Sequence, residues 1–233
     1  MSVCFCTLAV HAPYRRRARL LCADAAPLPF VVLTDEPGDF ADLPVKAIRH
    51  APTGPMAVDY RERWELTGGG GGATAYHDKR FVLRAALADF DTAIFVDADS
   101  RIDPLPALGA FPPGLAVRPA EPETIAAHLQ AWGPGRLPAF EELARRLLGD
   151  VQALQSAVWC YETCYAVTRD GRESRFFAAW DLAAEYLQDR GLYSGEGGVM
   201  GLAAAYAGWP VDFQALEVIS PRVHHEGGGP KGE

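Results

Sequence analysis

A chain of 233 residues, 49% of them hydrophobic, is long enough to bury one sizeable α/β core, and no linker divides it convincingly. A formal net charge of −8 leaves no basic excess to neutralise a phosphate backbone, which argues against a nucleic-acid partner. No run approaches the roughly 20 apolar residues that span a bilayer, and the N-terminus has no basic segment leading into a long apolar one, so a cytoplasmic protein without a transmembrane segment is expected.

In chain order, residues 3–10 read as an opening strand that carries Cys4 and Cys6. With Cys22, Cys160 and Cys164 these form an odd set without zinc-type spacing, read as reduced packing thiols. A helix follows over about 13–23, with Arg15-Arg16-Arg17 as its solvated face. Residues 30–33 form a second strand, stopped at Thr34-Asp35-Glu36-Pro37 because proline forces a turn. Residues 44–48 are a weaker third strand. Trp64-Glu65-Leu66-Thr67 then leads into the five glycines Gly68 to Gly72, which have no side chains to pack and read as a mobile surface loop. Residues 78–88 are helical by pattern.

The aliphatic run 93–96 suits a strand covered on both faces, and it ends in Asp97-Ala98-Asp99. Alternation predicts both acids on one side as the chain leaves the sheet. Two such carboxylates repel each other, and a divalent cation is the simplest relief; hard oxygen donors favour Mg²⁺ or Mn²⁺ bridging to substrate phosphates.

Beyond this point the texture changes. Residues 114–117 read as a short strand, 123–131 and 139–148 as helices, and 158–167 as a strand holding Tyr161-Glu162-Thr163. Residues 172–188 read as an amphipathic helix, 197–207 as a helix of small residues, and 211–213 as a last strand. The repeated strand–helix–strand order of the first hundred residues predicts an α/β fold of Rossmann type. It has a mostly parallel sheet with flanking helices in a single domain. Residues 1–103, 104–219 and 220–233 read as two successive halves and a tail of that one domain.

Three further groups carry chemistry. Ligands of open parallel sheets sit beyond the carboxyl ends of the strands, so Thr34 and Asp35 can face the crevice that Asp97 faces, or equally cap the next turn. Lys79 and Arg80 open a helix whose macrodipole disfavours them, which an anionic ligand nearby would explain. In the tail, His225 can add a nitrogen donor to a metal held by two carboxylates, while glycines and Lys231 suit a phosphate.

Asp97-x-Asp99 behind an apolar strand resembles the Asp-x-Asp motif of nucleotide-sugar-dependent glycosyltransferases of the GT-A fold. His225-x-x-Gly228-x-x-Lys231 resembles the signature of the glycogenin-like retaining family, although that signature usually continues into Pro-Trp and this chain continues Gly232-Glu233. Val32-Leu33-Thr34-Asp35 and Gly195-Glu196 resemble elements of the blood-group-transferase-like retaining family. The resemblance implies a metal-dependent transferase that moves a sugar from a nucleotide diphosphate sugar, a UDP-sugar first, to an unknown acceptor with retention. It implies that Asp97 contacts the ribose and the metal, that Asp99 binds Mn²⁺ or Mg²⁺ directly, and that His225 completes the set. Lys79, Arg80 and Lys231 would stabilise the departing diphosphate. Glu196 would act at the anomeric carbon, with Glu162 as its rival. The alternatives are a nucleotide-sugar binder without turnover and a phosphohydrolase of the haloacid-dehalogenase type, which also ends an apolar strand in Asp-x-Asp.

Overall fold

The structure, a computed structural model, describes residues 1–54, 74–192 and 195–226. The segment 64–72 with its glycine run, Tyr193, Ser194, Gly228 and Lys231 lie outside the described residues.

Strands β1 (Val3–Ala9), β2 (Phe30–Thr34), β3 (Lys46–Arg49) and β4 (Thr92–Val96) are parallel, with β1 between β2 and β4. Three more strands extend the sheet beyond β4: β6 (Gly114–Val117), β7 (Cys164–Thr168) and β8 (Val211–Asp212). The full order is β3-β2-β1-β4-β7-β6-β8, with β7 antiparallel to both neighbours. The sheet is mostly parallel, as expected, and β7 alone makes it mixed. A separate two-stranded ladder joins β5 (Ser100–Ile102) to β9 (Val223–His225).

Both faces of the sheet are covered, which is why its central strands are apolar at nearly every position. Cys4, Cys6, Leu8, Ala93 and Phe95 face helices α2 (Lys79–Leu87), α5 (Glu173–Gln188) and α6 (Gly197–Ala207). Phe5, Ala9, Val32, Ile94 and Val96 face helix α1 (Ala12–Ala25). Helices α3 (Ile125–Trp132) and α4 (Leu137–Leu148) complete the helical side. All five cysteines are buried and unbridged, as expected of packing thiols. Among the described residues no helix is long and apolar enough to cross a membrane.

Two expected strands shrink for identifiable reasons. Residues 158–163 are a connecting loop, because the backbone partners of Trp159 and Cys160 come from the Glu123 segment and the start of α6 and not from the sheet. Trp159 N donates to Glu123 O at 2.8 Å and Cys160 N to Gly197 O at 3.3 Å. The third strand begins at Lys46, after Pro44, which has no amide to give a ladder. The arginines of α1 are not a uniformly solvated face either. Arg15 pairs with Asp35 and Asp39, and Arg17 approaches Asp99.

Candidate metal and acid site

Strand β4 stops at Val96, and the chain turns at once: Asp97 N donates to Thr163 O at 3.0 Å, and Ser100 N donates back to Asp97 O at 3.0 Å. This turn, and not strand alternation, brings Asp97 and Asp99 to one side. Strand β9 then delivers the third donor. His225 stands opposite Ser100 in the β5–β9 register, and Glu226 N donates to Asp99 O at 2.7 Å. One ligand atom from each of Asp97, Asp99 and His225 lies within 4.8 Å of the others.

His225 Nε2 is 3.1 Å from Asp99 Oδ1 and 3.9 Å from Asp97 Oδ2. The hydrogen bond to Asp99 raises the imidazole above its ordinary pKa despite its partial burial. Burial pushes the Asp99 carboxyl up, but the His225 contact outweighs it and the net shift is downward. Asp97 moves the other way: burial and the Asp99 charge raise it more than Lys79 lowers it.

Lys79 is buried beside Asp97, with Nζ 2.8 Å from Asp97 Oδ1 and 3.2 Å from Glu196 Oε2. Burial alone would strip its proton, but the two carboxylates win and the ammonium is held above its usual range. The helix-start cations are thus neutralised by the protein's own acids. Arg80 lies apart from the metal cluster: its Nε bonds Asp181 Oδ1 at 2.8 Å and its NH1 bonds His77 O at 2.8 Å. Arg84 shares Asp181. No bound anion is needed to account for Arg80, because Asp181 and the buried Asp78, 3.4 Å from its NH1, together meet its charge.

Thr34 and Asp35 hold local structure. The buried Thr34 hydroxyl accepts from Glu36 N at 3.3 Å, which is the turn-capping alternative. Asp35 accepts from His11 N at 3.1 Å and from Arg15 NH1 at 2.7 Å. That bond stabilises His11 at φ 68°, an unusual value for a residue with a side chain. Two residues escaped the sequence reading. Tyr14 places its hydroxyl 3.3 Å from that of Tyr76, and Arg17 NH1 is 3.7 Å from Asp99 Oδ2. Their i, i+3 spacing on α1, one face of the helix, was the available signal.

The two candidate catalytic acids lie side by side. Glu196 is fully buried immediately before α6 but does not cap that helix, contrary to the role expected of a carboxylate there. Glu162 takes the role instead, its Oε1 accepting from Gly197 N at 2.8 Å. Glycines make the approach feasible. Gly195 adopts φ +79°, and a Cβ there would lie 2.3 Å from Glu162 Oε1; one on Gly201 would lie 1.9 Å from Val158 O. His77, buried against Trp180, is pushed down to about 4 by desolvation and is neutral.

Two carboxylates and one imidazole in a half-buried cluster form a mixed oxygen and nitrogen donor set suited to Mn²⁺, with a buried ammonium and an acid pair adjoining it. No protein-family model matches this chain, and neither does any curated protein.

Proposed function

We propose that this chain is a divalent-metal-dependent glycosyltransferase of the GT-A type, moving a sugar from a nucleotide diphosphate sugar, UDP-sugar first, to an acceptor hydroxyl with retention. The observation that carries this reading is the convergence of Asp97, Asp99 and His225 beyond the carboxyl end of β4, where ligands of open α/β sheets bind. The donor set fits the metal. Repulsion between the two acids is relieved here by Lys79, Arg17 and His225, and a cation would relieve it more directly.

Asp97, Asp99 and His225 would hold Mn²⁺ or Mg²⁺, whose Lewis acidity would neutralise the leaving diphosphate. Arg17 is a half-buried cation beside Asp99, and its weak contact there leaves it able to turn toward a phosphate. Glu196, its charge balanced by Lys79, would support positive charge developing on the sugar. Lys79 would keep both Asp97 and Glu196 ionised and in place.

A second reading is favoured by one observation: Glu196 is fully buried and already engaged by Lys79. A nucleotide-sugar binder without turnover would need nothing more. Titration of UDP with and without Mn²⁺, followed by hydrolysis assays on several UDP-sugars, tests both. Metal-dependent binding with sugar release supports the transferase. Metal-dependent binding without consumption of any donor supports the binder. Absence of UDP binding in Mn²⁺ removes both.

A further inference from the structure

Strand β6 is antiparallel to β7, and β7 is antiparallel to β4, so β6 and β4 run the same way and end at one edge of the sheet. Asp97 follows β4 there, and Arg118 follows β6. The start of β7 lies between them: Asp97 N donates to Thr163 O, and Val117 stands opposite Tyr165. Two strand spacings, about 10 Å, therefore separate the backbones of Asp97 and Arg118. The two sites also share a face of the sheet. Leu115 and Val117 pack on the side of α5 and α6, and Ala116 packs on the side of α1. Continued alternation turns Arg118 to the α1 side, where Ile102 of β5 and Val223 of β9 also pack. That is the side of the ladder that delivers His225.

Arg118 differs from the other arginines around this edge. Arg15, Arg17 and Arg80 are each met by a carboxylate. The exposed Arg118 guanidinium lies 5.5 Å from the centroid of the Tyr161 ring, and among the described residues it makes no ion pair and no hydrogen bond. Glu123, a few residues further on, is engaged by His128 Nδ1 at 2.8 Å. A stack on an aromatic face steadies a guanidinium and leaves its fork of donors open to a planar oxyanion. Tyr161 in turn immediately precedes Glu162, whose Oε1 accepts from Gly197 N at 2.8 Å, so the platform belongs to the loop that brings in this acid.

We propose that Arg118, steadied by Tyr161, binds a carboxylate or phosphate carried by the acceptor, which makes the acceptor an acidic sugar or a sugar phosphate. Its place in the reaction rests on the transferase reading. The metal cluster would hold the donor's diphosphate beyond β4, and the loop carrying Glu162 stands over the start of β7. The edge left for the acceptor is the one beyond β6, where Arg118 is.

Calorimetric titration with methyl glucoside, methyl glucuronide and glucose 6-phosphate tests it, on protein in Mn²⁺ with UDP and again on protein alone. The wild type should bind an acidic probe about three- to tenfold more tightly than the neutral one, as one charge-assisted pair at a partly open site supplies. Which acidic probe is preferred decides between carboxylate and phosphate. Arg118→Gln should bind the acidic probes no better than the neutral one. Arg118→Lys, which keeps the charge without the planar fork, should recover part of the preference. Equal binding of acidic and neutral probes by the wild type, or binding of none of them, overturns the proposal. So does a preference that survives in Arg118→Gln. If the wild type prefers UDP-glucuronate to UDP-glucose and Arg118→Gln removes that preference, the oxyanion belongs to the donor and the acceptor assignment falls. Failure of UDP to bind in Mn²⁺ is a separate result. It removes the transferase reading, while the probes on protein alone still decide whether Arg118 selects an oxyanion.

Discussion

Lys79 and His225 approach Asp97 at different oxygens: Lys79 Nζ lies 2.8 Å from Oδ1, and His225 Nε2 lies 3.9 Å from Oδ2. The acid therefore has one oxygen committed to the buried interior and one turned toward the cluster. A cation bound by Asp97, Asp99 and His225 can use the second oxygen without breaking the first contact.

Removing Lys79 should be expensive for the fold. Lys79→Ala leaves the fully buried Glu196 and the partly buried Asp97 without their shared cation, and losing one partner of a buried ion pair typically costs about 3–5 kcal/mol. Urea denaturation at pH 7 measures it. A loss under about 1 kcal/mol would mean that water replaces the ammonium.

Asp99→Asn should weaken UDP binding in Mn²⁺ by about tenfold or more while leaving the weak binding in EDTA unchanged, as expected when a direct metal ligand is lost. Calorimetric titration separates the two conditions. Equal affinities for wild type and variant in Mn²⁺ would remove the metal from this site.

Mn²⁺ affinity should depend on pH through His225. Asp99 raises the imidazole pKa in the fold, so the ion pair's contribution to stability is full below the ordinary value and is lost as pH rises through the raised one. Metal needs the neutral ring. Affinity should therefore climb with pH, by up to about tenfold per unit below the raised pKa, and then level off. His225→Ala should bind more weakly and show a flatter profile in the same titration, run with Mn²⁺ alone.

Gly201→Ala should destabilise by about 1–3 kcal/mol, because its Cβ would fall 1.9 Å from Val158 O, a backbone atom of the loop that carries Glu162. Gly135→Ala, where nothing lies within 4 Å, is the control. Thermal melts of both should differ clearly.

Much of this arrangement was legible from local pattern. The apolar runs at 30–33 and 93–96 are strands because both faces of the central sheet are covered, and the small-residue stretch Gly197–Ala207 is a helix as expected. Asp97, Asp99 and His225 do converge. What failed was long-range in origin. Residues 158–163 have strand-like composition, yet Glu123 and Gly197 take their backbone groups. Arg80 could not be separated from Lys79 without knowing that Asp181, on a helix far along the chain, waits beside it. Glu196 stands immediately before its helix, yet Glu162, from a loop far off in sequence, is the acid that accepts from the Gly197 amide.

The ladder between β5 and β9 has a thermodynamic corollary. Two of the donors sit near the middle of the chain and the third on a three-residue strand near its end, so a bound cation would act as a non-covalent staple across the whole intervening stretch. Docking of the last strand and capture of the metal are then two descriptions of one equilibrium. Whatever loosens β9 must weaken the cation's grip, and by reciprocity the cation must hold β9 down by the same free energy.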